Sequence, residues 1–438
     1  GVTGVQTCAL PISRTSLITF QTLRSFLWHA GPRIFRLVSG VLGSAVVARN
    51  LGPENYGILA FATMVATWAG CLVQLGSLEV ITKNVAVHPE EVPSLIRTSL
   101  LFRFLGFLPA GGVVLAASHW FGHAGLYAIL ALLPLTLVPD AVEAVFFGRS
   151  QFQPTAPLRM MAAGLGLTAR LVLAARGAGV EAFAWVMVGE GAVTATAFLW
   201  KGRGLWRLGE KSPRCSRKNF FYQSLPLAIS ALVVGLALRL DQMILQSCRP
   251  GPDVGHYLAV VRLFEMANIL IPSLLAVLMP DLARWSHLAA KEYETKMVRL
   301  YTLTYRWGFL TSCALALLAP LVVPLLFGEM FRASIPIFMV YAFTFPSFVV
   351  GNIRAMDFVV RNQNTNHLTA ILFLVPIQIP LCWWMTVWIG PVGLALAMVV
   401  VTFLSTTLLS FWLPPLRASG KLQAQALQEL FRQNKRQA

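Results

Sequence analysis

The chain reads as an all-α membrane protein of about twelve transmembrane helices, arranged as two six-helix lobes related by a pseudo-two-fold axis along the membrane normal. Three observations predict it. Of 438 residues, 56% are hydrophobic and only 12% are charged, about half the charged share of a soluble domain. Mean hydropathy is +0.67, and stretches long enough for a spanning helix of about 20 residues recur from Pro32 to Leu416. These stretches are continuous and lack the alternation of a membrane β-barrel. The connections between them alternate in charge, which fixes an even number of crossings.

Spans 1 to 6 are expected over 32–50, 57–80, 98–118, 123–145, 157–176 and 181–200. Spans 7 to 12 follow over 221–246, 255–279, 302–325, 333–353, 367–388 and 391–413. Connections after odd-numbered spans are short and nearly free of charge, whereas those after even-numbered spans are longer and mostly basic. With both termini cytoplasmic, only seven of the 35 Lys and Arg fall elsewhere: Arg49, Arg170, Arg176, Arg239, Arg249, Arg262 and Arg332. An odd count would place a basic segment on the wrong side of the membrane.

The net charge of +17 would suggest nucleic acid in a soluble protein. In this setting it follows the positive-inside rule, and no nucleic-acid partner is expected. The six cysteines are scattered, and the seven histidines show no metal-ligand spacing, so no metal or cofactor is expected. Residues 1–13, containing Val2-Thr3-Gly4-Val5-Gln6-Thr7-Cys8-Ala9-Leu10-Pro11-Ile12, resemble the translation of a sequencing adapter and are set aside.

The richest basic segment, Lys201 to Lys218, falls near the middle of the chain. It predicts an N-lobe over 14–200, a cytoplasmic linker over 201–220 and a C-lobe over 221–416. A basic tail over 417–438 carries Leu422, Leu427, Leu430 and Phe431 on a partial apolar stripe, which fits an interfacial helix or a frayed end. An internal repeat supports the two halves. Gly52-Pro53-Glu54-Asn55-Tyr56-Gly57 after span 1 matches Gly251-Pro252-Asp253-Val254-Gly255 after span 7, 199 residues later. Proline rigidifies such a turn, and the acid suits the start of the next helix. Both turns follow odd-numbered spans, so the halves run parallel rather than inverted.

Val47-Ala48-Arg49-Asn50-Leu51-Gly52-Pro53-Glu54-Asn55-Tyr56-Gly57 resembles the first-helix signature of polysaccharide flippases. Arg239-Leu240-Asp241-Gln242-Met243-Ile244-Leu245, with Gly255-His256-Tyr257-Leu258-Ala259-Val260-Val261-Arg262-Leu263-Phe264-Glu265, resembles their spans 7 and 8. The family comprises the O-antigen, capsule and exopolysaccharide exporters of the multidrug/oligosaccharidyl-lipid/polysaccharide exporter superfamily. One departure is Lys83, which stands ahead of His88-Pro89-Glu90 where the family usually has arginine. The resemblance implies a flippase that moves undecaprenyl-diphosphate-linked oligosaccharide across a bacterial inner membrane by alternating access. It implies no catalytic centre. Its partners would be the lipid-linked substrate, the bilayer, and polysaccharide polymerase and assembly proteins.

Ionisable groups within spans are costly and mark candidate sites. Arg36 shares a face with Gly40, Gly43 and Val47, Arg170 with Ala163 and Gly166, and Arg239 with Gly235, Gln242 and Gln246. With Arg262, these make Arg36, Arg170, Arg239 and Gln242 the substrate-cavity candidates, since guanidinium donors suit phosphate oxygens. Asp140, Glu143, Glu190, Asp241 and Glu265 are candidates for ion coupling or ion pairing. Asp140, Glu143 or Glu190 would reach Arg170, Glu265 would neutralise Arg262 one turn away, and Asp241 would meet another helix or the lobe interface. Two other readings compete. An ion-coupled drug or organic-cation antiporter of the same fold would use such acids for a cation. A membrane polymerase or ligase would need a large non-cytoplasmic loop, and those loops are all short.

Overall fold

A computed structural model describes residues 20–149, 155–207, 217–268, 290–360, 364–412 and 416–437, with isolated residues between 271 and 285. Side chains are described from residue 35 to residue 430, with short gaps. The adapter-like segment 1–13 and the middle of the basic linker, 208–216, lie outside them. Every regular element among the described residues is helical.

All twelve expected spans have helical counterparts. Phe20–Gln74 carries spans 1 and 2, reversing at Gly52 (φ 71°, ψ 174°) with Pro53 opening the next helix. Spans 3, 5 and 6 are Val92–Phe121, Ala156–Ala175 and Val180–Arg207. Eight segments among the described residues are long and apolar enough to cross a membrane, and the first, Phe35–Val87, contains two spans. Span 8 is described over Pro252–Asn268, span 11 lies in the helix Asn364–Ile389, and span 12 covers Pro391–Thr407.

The expected connections after odd-numbered spans are tight hairpins at one end of the bundle. Each contains one glycine of positive φ: Gly52, Gly122, Gly177, Gly251, Gly328 and Gly390. At Gly52, Gly122, Gly328 and Gly390 ψ lies near 180°, a positive-φ region that only glycine adopts without strain.

Several spans differ from the regular helices the periodicity suggests. Span 2 breaks at Leu75 and Gly76 before continuing as Ser77–Val87. Span 4 divides into Ala124–Leu130, a 3-10 turn at Pro134–Leu137, and Asp140–Gly148, where Pro134 and Pro139 remove backbone donors. Span 7 divides into Arg217–Ala237 and Leu240–Cys248, and span 12 carries a π-helical turn at Leu404–Leu408.

Backbone freed at a break inside a membrane needs internal partners. Buried arginines supply them in both halves. Arg103 of span 3, 1% exposed, donates from Nε to Ser77 Oγ (2.9 Å) and from Nη1 to Leu137 O (3.1 Å), joining the breaks of spans 2 and 4. Arg354 of span 10 donates from Nη1 to Ser405 O (2.9 Å), Thr406 O (3.0 Å) and Ser410 Oγ (2.8 Å), at the π turn.

Span 9 is longer than expected. It runs from Ala290 to Phe327, 38 residues or about 57 Å of helix, against a hydrocarbon core of about 30 Å. The tail is not frayed. Arg417–Gln437 is a helix seated on span 9, where Thr302 Oγ1 donates to Ala426 O (3.3 Å) and Leu422 and Gln423 are buried.

Candidate functional site: a basic cavity between the lobes

A cavity of about 410 Å³ lies between spans 1, 2, 5 and 6 on one side and spans 7 and 8 on the other. Arg36, Arg170, Arg239, Gln242 and Arg262 all line it. Its walls therefore carry four arginines and two glutamates, Glu190 and Glu265.

Small residues decide where the N-lobe charges sit. A Cβ at Gly43 would lie 3.0 Å from Arg170 Cδ, and one at Gly166 would lie 2.5 Å from Glu190 Oε2. These two glycines make room for the pair in which Arg170 Nη2 donates to Glu190 Oε2 at 2.7 Å. Arg36, one helix face below Gly43 with Gly40 between, reaches the same cavity.

The C-lobe wall is built differently. Glu265 receives Arg262 Nη1 at 2.9 Å, as their spacing predicts, and also Arg239 Nη1 at 3.2 Å. One carboxylate thus bridges two guanidiniums and leaves one positive charge uncompensated within that group. The expected stripe of Gly235, Arg239, Gln242 and Gln246 does not form as one face. The break at Leu238 and Arg239 rotates the two pieces of span 7, and Gly235 packs against Trp68 of span 2 instead.

The acids divide unexpectedly. Asp140 and Glu143 do not reach Arg170. Both pair with Arg159, which donates from Nε to Glu143 Oε1 (2.9 Å) and lies 3.3 Å from Asp140 Oδ1. Arg159 also lies over the Phe198 ring, 5.1 Å from its centroid. Asp241 is 1% exposed and accepts a 2.7 Å hydrogen bond from Tyr257 of span 8, forming no ion pair among the described residues. No cluster of three metal-type ligands occurs among the described residues.

The lobes meet tightly at the end where the Gly-Pro turns lie. The two copies of the repeat touch each other: a Cβ at Gly255 would lie 1.8 Å from Pro53 O, and one at Gly57 would lie 2.7 Å from Gly255 N. Beneath that contact Tyr56 packs on Phe331 edge to face, with ring centroids 5.8 Å apart, and on Phe327.

Arg49 seals the same end. It donates from Nε to Leu326 O (2.9 Å) and from Nη2 to Leu325 O and Pro324 O. These carbonyls end span 9, where Pro324 O also accepts from Gly328 N (2.9 Å), so a cation there both caps the helix and complements its dipole. On the flank away from the arginines, Trp68 Nε1 donates to Leu232 O of span 7 (3.3 Å), and Phe102 of span 3 stacks on Phe220 and Phe221.

Sequence reasoning missed Arg49, Arg103 and Arg159 as structural cations. Arg103 stands 11 residues into the helix that opens at Val92, about 16 Å from its start, which was the available signal of deep placement.

Residues 23–286 match the family described as "Polysaccharide biosynthesis protein", well over half the chain. No match is found among curated proteins. Among solved structures, an inward-facing multidrug resistance MATE family transporter of the MOP superfamily superposes with a TM-score of 0.70 at 14% identity, over 92% of this chain and 96% of that one. The lipid II flippase MurJ in an inward closed conformation gives 0.65 at 14% identity, over 93% and 92%. A MOP superfamily transporter from Pyrococcus furiosus, whose binding pocket is described as reversed in polarity, gives 0.62 at 12% identity, over 94% and 95%. At these identities the likeness establishes the two-lobe fold.

Proposed function

We propose that this chain, which belongs to the polysaccharide biosynthesis protein family, is a flippase for an undecaprenyl-diphosphate-linked oligosaccharide in surface-polysaccharide synthesis. The observation that carries the reading is the charge of the central cavity. Four arginines face two glutamates there, and a diphosphate diester brings one negative charge on each phosphate. Arg170 and Arg239 sit opposite one another on the two lobes, so lobe movement can carry a bound diphosphate while keeping it neutralised. Guanidinium forks supply that neutralisation with directional hydrogen bonds.

In this reading the protein sits in a bacterial inner membrane with both termini cytoplasmic, and the Gly-Pro end faces the periplasm. The described state is then closed outward. Asp241, buried beside Tyr257 with no ion-pair partner among the described residues, is the carboxylate we assign to ion coupling. Polymerase and assembly proteins would receive the product. Catalysis is not part of the reading.

The test is complementation in a strain lacking its own flippase, scored by surface polysaccharide. Arg170→Ala and Arg239→Ala should each reduce it at least tenfold while membrane insertion is kept. Full activity in both variants would remove the cavity from the mechanism. An organic-cation antiporter would have to bind a cation against the excess of arginine. Resistance to cationic dyes that depends on Glu190 or Asp241 would replace our reading with that one.

A further inference from the structure

Beside the central cavity lies a second, smaller one of about 160 Å³, wholly within the N-lobe. The two share Arg36, Gly40, Arg170 and Glu190 on their walls. Ser39, Thr194 and Arg159 complete the polar lining of the smaller one. It follows span 5 from Arg170 down to Arg159, about 16 Å along the helix. At about 30 Å³ per water it holds about five waters, the room that one sugar ring needs and a chain of rings exceeds.

Its chemistry differs from that of the central cavity. Three arginines line it, and three carboxylates lie on two of them: Glu190 on Arg170, and Asp140 with Glu143 on Arg159, so with Arg36 the group sums to no net charge. A phosphate in this alcove would face Glu190 at close range. A sugar hydroxyl both donates and accepts, and finds acceptors in Glu190 and Thr194 and donors in the guanidiniums and Ser39. The open side of Gly40, where an added Cβ meets nothing within 4 Å, leaves the passage from the central cavity clear.

We infer that this alcove is a specificity subsite for the sugar ring attached to the diphosphate, with Thr194 and Ser39 reading its hydroxyls. The inference rests on the flippase reading and deepens it. The diphosphate stays on the central arginines, the first ring turns into the N-lobe, and later rings occupy the central space. Discrimination arises at two points: Ser39 is buried, so a ring that leaves it mismatched is costly, and Thr194, whose O–H already donates to Glu190 O (3.0 Å), offers the ring an acceptor alone.

The experiment uses the purified full-length protein in nanodiscs and two probes, undecaprenyl diphosphate and the same lipid bearing one hexose or N-acetylhexosamine. Wild type should bind a sugar-bearing probe more tightly. Ala163→Leu, which fills the alcove without touching the central cavity, should erase that advantage, a loss of about tenfold, and leave sugar-free binding unchanged. Thr194→Val, which keeps the shape and removes the hydroxyl, should lose about threefold to tenfold on the sugar-bearing probe alone. Equal losses on both probes, no loss in either variant, or no sugar advantage in wild type would overturn the subsite. Failure of wild type to bind either lipid would instead overturn the flippase reading itself.

Discussion

The two halves of the molecule place closely related turns under different loads. Asn50, after span 1, donates from Nδ2 to Ala178 O (2.9 Å) in the turn that follows span 5. Its counterpart 199 residues on is Arg249, which donates from Nη2 to Val387 O (3.0 Å) near the end of span 11. Each staples the first helix of its lobe to the fifth. One position earlier the halves part company. Arg49 crosses to the other lobe and holds the end of span 9, whereas the equivalent position in the C-lobe is Cys248, which offers no such reach. A duplicated turn thus supplies two staples within lobes and one latch between them, and a single residue separates the roles.

The largest expected effect lies where the two copies of the turn touch. Gly255→Ala puts a Cβ into the Pro53 carbonyl and should prevent closure of that end. Polysaccharide export should fall to background with insertion intact. A cysteine introduced at Val254, which is 1% exposed within that contact, should become readily labelled from outside. Unchanged labelling would mean that the contact adapts.

Arg49→Ala should come next. It removes charge-assisted bonds to carbonyls, each worth about 1.5–3 kcal/mol when well buried and less at this exposed site. Labelling at the same end should rise severalfold with a smaller loss of export. Arg249→Ala sharpens the comparison, because its partner lies in its own lobe. It should lower the unfolding temperature in detergent and leave the labelling pattern alone. If Arg249→Ala opened the outer end as Arg49→Ala does, the division between staple and latch would collapse. Asn50→Ala should have the smallest effect, one neutral hydrogen bond worth about 1 kcal/mol, read as a shift of about one degree in the same unfolding assay.

Much of this was legible beforehand. The count of spans, the parallel halves and the short uncharged turns follow from hydropathy and loop charge, which are properties of each segment alone. The five cavity candidates do line one cavity, because a guanidinium within a span has few tolerable places to go. The Arg262–Glu265 pair was legible from its spacing, but which of Asp140, Glu143 and Glu190 would reach Arg170 was not. Asp140 and Glu143 sit on a face that periodicity identifies, but which neighbour that face meets depends on how spans 4, 5 and 6 rotate. The rotation brings Arg159 to them, and Glu190 to Arg170. The break in span 7 was also hidden, since no proline or glycine marks Leu238 and Arg239. Nor were the roles of Arg103 and Arg354 legible, since each fills hydrogen-bonding gaps in other helices.

The six hairpins that each turn on one glycine of positive φ have a consequence for how the molecule meets its surroundings. With that end outward, as proposed, the protein presents knuckles of backbone instead of loops. A protease needs a segment it can draw out into an extended form, and turns this tight offer none. Periplasmic proteases would find little to grip on the face from which surface polysaccharide departs.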